Sequence, residues 1–158
     1  MSDPFSSSFE SLFNAIRISP SVVTIVQESN IFGYLDEDEP LIDHYEAGDL
    51  PRLEILPADD DTANLWHSSS TSEIPFTVLV RIKSEDEHVN RTLLGLRWAL
   101  TRALFTAGIK LGNENVESWE LGAFEVTEPV DATKTDRGWS AEAVVIMSLS
   151  IEHANITE

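Results

Sequence analysis

The chain contains no cysteine and no long apolar run, and each absence excludes a class of protein. Without cysteine there is neither a disulfide framework nor a thiolate zinc site. No apolar run approaches the length of a transmembrane helix, and the polar segment 1–8 lacks the basic region of a signal peptide. We therefore expect a soluble protein that is made in a cytoplasm and does not bind a membrane.

Positive charge is also scarce. The chain has ten Lys and Arg residues and 28 Asp and Glu residues, which gives a formal net charge of −18. This balance argues against binding to phosphate backbones or anionic membranes, which requires clustered Lys and Arg. Residues 36–61 contain eleven acids and one base, whereas six of the ten bases lie between positions 81 and 110. Such separation favours head-to-tail packing of copies. The alternative is a solvated acidic loop, which is the better interpretation of any single acid there.

Patterns of catalytic and metal-binding residues are missing from the sequence. His44, His67, His88 and His153 are scattered, and the acidic runs at 36–39 and 59–61 do not match the EF-hand register. There is no G-x-S-x-G turn, no Walker loop and no G-x-G-x-x-G fingerprint. We therefore predict no catalytic residue, no cofactor and no metal ligand, and do not expect an enzyme.

The most informative segment is a predicted long helix at residues 85–107, with apolar residues on two opposite sides. One stripe recurs at helical spacing and suits a domain core: it comprises Val89, Leu93, Leu96, Leu100, Leu104 and Ala107. The second stripe, Leu94, Trp98 and Phe105, is turned roughly 150° away at about 100° per residue. It requires another cover, either from the same chain or from a partner.

The sequence also marks both ends of this helix. Residues 84–87 (SEDE) read as a capping box, and Gly108 fits the left-handed residue that ends a helix.

Basic residues surround the second stripe. Arg91, Trp98 and Arg102 lie within about 40° of one another on the helical wheel at roughly 100° per residue. Either the acidic loop of the same chain folds over them, or a neighbouring subunit supplies the acids. We favour the second interpretation, with Trp98 as the anchor. Gly95, beside this face, would permit close approach of another backbone. The predicted subunit interface is Leu94, Trp98, Phe105, Arg91 and Arg102.

The remaining segments predict an α+β fold in a single domain, 1–158. We expect a short amphipathic helix at residues 9–16 capped by one of Ser6 to Ser8, a brief helix or strand at 22–27, and a long acidic loop at 30–50. Strands are predicted at 51–56, 75–83, 119–127 and 141–151, and the last is apolar on both faces in its middle, as a central strand is. Residues 131–138 read as a polar loop, and 1–8 and 153–158 as flexible termini. The simplest arrangement is a mainly antiparallel four-stranded sheet with the long helix packed on one face.

This order of elements, from Phe9 to Ile151, resembles the tail terminator and neck (tail completion) proteins of tailed bacteriophages. The resemblance rests on the short N-terminal helical region, the loop that ends in residues 50–55 (LPRLEI), the strand at 75–83, the long helix and two closing strands. It implies a homo-oligomeric ring, typically a hexamer, in the head–tail neck region of the virion. Its partners would be the tail tube protein and a head-side connector or neck protein. DNA would pass through the lumen without specific binding, because an acidic lumen repels phosphate.

Two other functions remain open at this point. An acidic inhibitor that mimics DNA would suit the net charge, although a mimic should space its carboxylates along one continuous face, and here they concentrate in a loop. An enzyme is supported by nothing beyond the presence of acids.

Overall fold

The computed structural model describes residues 3–33, 47–58, 73–126, 133–135 and 138–152. Within these residues, helices form one layer and strands form one sheet. The helices are α1 (Pro4–Arg17), α2 (Pro20–Val23) and α3 (Val89–Ala107). The strands are β1 (Ile31–Gly33), β2 (Arg52–Pro57), β3 (Glu73–Asp86), β4 (Val116–Val126), β5 (Thr133–Thr135) and β6 (Gly138–Glu152). The predicted α+β class is therefore observed.

The sheet has the order β1-β2-β3-β6-β4, and β5 pairs with β6. Four consecutive strands of this order, β2, β3, β6 and β4, pair antiparallel, as the sequence predicts, and β6 lies inside the sheet. Two short strands add to the prediction. β1, inside the expected loop at 30–50, pairs parallel with β2. β5, inside the expected polar loop at 131–138, pairs antiparallel with β6. Residues 34–46 of the acidic loop lie outside the described residues.

The N-terminal helices differ from the prediction in where they begin. α1 starts at Pro4, within the segment expected to be flexible, because Asp3 caps it: the Ser6 N–H donates to Asp3 Oδ1 at 2.8 Å. The predicted cap among Ser6 to Ser8 is therefore wrong. α2 is a single turn whose Pro20 occupies the first helical position. The β-branched segment after Pro20 thus begins as a helix.

The start of the long helix is a clear correction. β3 continues through Asp86, which pairs with Trp139 of β6, so α3 begins only at Val89. Ser84 is buried in β3 and donates to Asp86 Oδ2 at 3.1 Å instead of capping a helix. The Asp86 carboxylate instead accepts from the His88 N–H at 2.7 Å and from the Thr92 hydroxyl at 2.8 Å. The capping box is wrong because strand pairing with β6 outweighs the local helix signal.

The helix ends where the sequence predicts. Gly108 has a φ of +87°, which favours glycine, and its N–H donates to the Leu104 carbonyl at 3.1 Å. Its ψ of 174° lies outside the left-handed helical region, so the turn is more open than the expected cap. Hydrogen-bonded turns then connect α3 to β4, with the Leu111 N–H donating to the Gly108 carbonyl at 3.2 Å.

One buried cluster joins the helices to one face of the sheet, which we name the inner face. The first stripe of α3 supplies Val89, Leu93, Leu96, Leu100 and Leu104 to this cluster, and Ala107 packs against its edge. α1 adds Phe9, Leu12 and Ile16, and alternate residues of β6 (Ala141, Ala143, Val145, Met147 and Leu149) form the floor. The prediction that the first stripe faces the core is confirmed.

Candidate subunit interface

The second stripe of α3 is exposed. Leu94 is 60% exposed, Trp98 64% and Phe105 72%, although large apolar side chains are usually buried. The helix explains this arrangement: these positions lie on the side of α3 turned away from Leu100 and Leu104, which are buried. The exposure satisfies the first requirement of the predicted interface, while the contact between subunits stays a prediction.

The arginines around the stripe are exposed as well. Arg91 and Arg102 are both exposed, and within the described part of the chain neither forms an ion pair. α3 contains three arginines and no acid, a local charge of +3 in a chain of −18. The acidic run at 36–39, which the sequence offers as a cover from the same chain, lies outside the described residues. The structure thus shows a cationic, partly apolar helix face with no compensating acid on the same helix.

The exposed apolar surface extends from α3 toward β4. The rings of Phe105 and Trp119 meet edge to face at a centroid distance of 5.3 Å. Trp119 Nε1 donates to the Gly108 carbonyl at 3.0 Å, which ties β4 to the end of the helix. Arg97 Cζ lies 5.5 Å from the Phe124 ring centroid, in a cation–π contact. Side chains of β4 therefore contact this side of α3 and its C-terminal end.

Sequence reasoning missed three contributors to this surface. Ile109, just past the helix, is 69% exposed and continues the stripe. Trp119 and Phe124 support the stripe from β4. They are five residues apart, and the irregular pairing between Leu121 and Phe124 places both on the inner face, so no local alternation predicts it. Gly95 departs from its expected role, since a Cβ there would meet only the Ile25 side chain at 3.6 Å. Among the described residues, therefore, no backbone atom of another element lies within 4 Å of that position.

Buried charge occurs elsewhere, at the β1–β2–β3 end of the other face of the sheet. Arg52 Nε lies 3.2 Å from Glu54 Oε2, and Arg81 Nη1 lies 3.8 Å from Glu54 Oε1. The Arg52 guanidinium also stacks on Phe32, with its Cζ 3.7 Å from the ring centroid. Arg52 and Glu54 are both buried. The two buried charges are therefore paired with each other, and Arg81 and Phe32 connect them to the neighbouring strands.

Other titratable features of the chain are a helix cap, scattered histidines and acidic runs. Hydrogen bonds from Ser6 hold the pKa of Asp3 below its ordinary value of 3.8, which is the signature of a helix cap. No group of three or more His, Asp or Glu residues in the described ranges could hold a metal ion. His88 is exposed, while His44, His67, His153 and both acidic runs lie outside those ranges. Among the described helices, none combines the length and apolar character needed to cross a membrane.

Comparison with known proteins shows a likeness of structure rather than of sequence. No protein-family model matches the sequence, and no curated protein matches it. Among solved structures, the chain is similar to a chain in the virion of a native gene transfer agent particle, with a TM-score of 0.61 and 10% sequence identity. The likeness covers 96% of this chain and 99% of that chain. At this identity it shows a shared fold over nearly the whole length of both chains.

Proposed function

We propose that the protein is a structural subunit of a virion and that it assembles with further copies of itself. The observation that carries this proposal is the fold, which the chain shares along almost its full length with a component of a gene transfer agent virion. The exposed stripe supports it independently, because a contiguous apolar surface rimmed by polar groups is typical of a protein–protein contact. No enzymatic role is proposed.

More specifically, we propose a tail terminator or neck subunit. In this role a hexameric ring caps the tail tube and joins it to the head-side connector, and the genome passes through its lumen. The resemblance in element order supports this role, and so does the charge of −18, because an acidic passage repels phosphate and lets DNA slide.

The stripe accounts for assembly in physical terms. Three large apolar side chains in water favour any contact that removes them from solvent. The three arginines of α3 then steer the approach of an acidic surface. A contact between two different surfaces of one protein closes into a ring when its rotation closes. A subunit of this design would therefore assemble without a cofactor.

Measurement of mass by light scattering tests the assembly. We expect a closed oligomer at assembly concentrations, and we expect Trp98→Asp to reduce the mass to the 17.6 kDa of one chain. The control is Ile18→Asp, because Ile18 is as exposed as the stripe, at 71%, but lies at the end of α1. This control should assemble normally. A wild-type protein that stays monomeric at high concentration, or a Trp98→Asp variant that unfolds, would contradict the proposal.

Location in the particle is a separate test. Purified particles from the producing cells should contain the protein in a small, fixed copy number, and gold-labelled antibody should mark the junction of head and tail. Absence from particles would remove the virion role. A copy number in the hundreds would indicate a shell or tube component instead of a single ring.

A DNA-mimicking inhibitor remains the second candidate, because the net charge of −18 favours it. Against it, the outer side of α3 is cationic. Capture of a DNA-binding host protein that is released by added duplex DNA would support this alternative over the virion role.

A further inference from the structure

The face of the sheet opposite to the helices, which we name the outer face, is exposed at its β6–β4 end. Opposed residues of paired strands share a face, and the register places Val144 and Ile146 of β6 beside Arg81 and Leu79 of β3. Ile146 is 42% exposed although it lies in an interior strand. At the other end of the same face, Arg52 and Glu54 are buried. The exposed apolar area of this face is therefore local to β6, where Ile146 is exposed and Val144 beside it is half-buried.

Acidic residues border this area. Glu125 of β4 pairs with Val144, and Glu120 pairs with Ser148, so both acids lie on the outer face. Both are exposed, and neither forms an ion pair with any residue in the described ranges. Glu142, two residues before Val144, is half exposed and contacts Lys83 Nζ at 2.9 Å. The outer face thus has an apolar centre and an acidic border on its β4 side.

The stripe of α3 has the opposite character. Its apolar centre is Trp98 with Leu94 and Phe105, and its border consists of Arg91 and Arg102. One molecule therefore carries two exposed surfaces with an apolar middle. Arginines border the stripe, whereas acids border the outer face on its β4 side and Arg81 and Lys83 lie on its β3 side. Complementary borders of this kind fix register and exclude wrong partners.

We propose that the stripe of one copy docks on the outer face of the next copy, with Trp98 against Ile146 and Val144. The two surfaces lie in different layers of the molecule, since the stripe belongs to α3, which packs on the inner face, and the outer face is the far side of the sheet. A molecule therefore uses one surface toward each neighbour. This contact is head to tail, and it generates a ring or an open filament instead of a two-fold dimer. The inference rests on the self-assembly in the proposed function and adds the counter-surface.

Mixing two variants that are each defective in one surface tests this arrangement. Trp98→Asp removes the stripe and keeps the outer face, while Ile146→Asp removes the outer face and keeps the stripe. We expect each variant alone to remain at the 17.6 kDa of one chain. Mixed in equal amounts, they should form a one-to-one complex of twice that mass that does not grow further, because each partner retains a single intact surface. If the stripe packs on itself, Ile146→Asp alone will assemble like the wild type, and the inference is then overturned.

Charge reversal gives a second route that leaves the central strand unchanged. Glu120→Lys with Glu125→Lys should abolish assembly of the wild-type chain. Adding Arg91→Glu and Arg102→Glu to that variant should restore assembly, because both borders are then inverted. Failure of the combined variant to recover while it stays folded, as shown by circular dichroism, counts against the contact.

The matched control changes the net charge equally at exposed acids outside both surfaces. Glu10→Lys with Glu28→Lys makes the same change in charge on exposed residues of the helical layer, and it should leave assembly intact. Loss of assembly in this control would mean that total charge, and not the outer face, governs association.

These outcomes separate the inference from the function on which it rests. If the wild type forms rings and Trp98→Asp disrupts them, while Ile146→Asp and the Glu120 and Glu125 reversal do not, the counter-surface is wrong and the self-assembly stands. If the wild type never assembles and is absent from particles, the proposed function itself fails.

Discussion

Replacement of Trp98 by alanine should weaken assembly strongly and the fold hardly at all. A tryptophan buries about 150–250 Å², and the exposed fraction of 64% leaves about 100–160 Å² for a neighbour to cover. At about 25 cal/mol per Å² this area is worth ~2.5–4 kcal/mol at each contact. Since ~1.4 kcal/mol corresponds to a tenfold change, the dissociation constant should rise by a factor on the order of 10². The free energy of unfolding should change by no more than ~0.5 kcal/mol, as for exposed sites in general.

Leu104 in the same helix provides the comparison. It is fully buried in the core cluster, so Leu104→Ala should lower the free energy of unfolding by ~2–5 kcal/mol through lost burial and the cavity left behind. Its effect on assembly should be confined to the loss of folded protein. The two substitutions therefore separate the two sides of one helix.

Sedimentation equilibrium would measure the dissociation constant, and urea denaturation at low protein concentration would measure unfolding without a contribution from assembly. The reasoning is refuted if Trp98→Ala costs more than ~2 kcal/mol of unfolding free energy, a value typical of core truncation. It is equally refuted if the dissociation constant is unchanged.

Three further outcomes are expected. Gly122→Ala should lower the free energy of unfolding by ~1–3 kcal/mol in urea denaturation. The reason is that a Cβ there would lie 2.5 Å from the Ile146 carbonyl oxygen, in the irregular part of the β4–β6 pairing. Gly48→Ala, with open space around it, is the control and should have nearly the unfolding free energy of the wild type. Asp3→Ala should cost ~1 kcal/mol at neutral pH by removing the cap of α1. The Ser6 hydrogen bonds lower the pKa of Asp3 from 3.8, so the contribution of the cap to stability is present above that value and is lost as the pH falls through the lower folded pKa. The melting temperatures of variant and wild type should therefore converge at acidic pH. A constant difference between them would contradict the assignment of Asp3 as the cap. Assembly should weaken as the salt concentration rises from about 0.05 to 0.5 M, since the opposed charged borders are exposed and salt screens their attraction. Light scattering that shows no salt dependence would argue for a purely apolar contact.

The local elements followed largely from the sequence. The 3.6-residue periodicity of residues 89–107 identifies the helix and both of its stripes, and Gly108 marks its end. The start of the helix could not be read in the same way, because the capping signal at 84–87 is local, whereas the competing pairing of Asp86 with Trp139 joins distant parts of the chain. The parallel strand β1 was missed for a related reason: three residues carry too little pattern to predict a partner.

The candidate interface was predictable in part. Leu94, Trp98 and Phe105 could be grouped from spacing alone, and so could Arg91 and Arg102. Trp119 and Phe124 could not be assigned to this surface, because they reach it through the packing of β4 beside the helix. The exposure of Ile146 could not be predicted either, since its strand is apolar on both faces and only the position of the helices decides which face is covered.

The sequence by itself determined the charge of the protein, the amphipathic character of α3 and the alternation of its strands, because these properties depend on composition and on neighbours within a few residues. The tertiary structure alone decided which apolar side chains stay in water. That outcome depends on the helical layer covering one face of the sheet and leaving the stripe of α3 and the β6–β4 end of the outer face uncovered. Burial is a long-range property, set by which elements meet and by how much surface they can share.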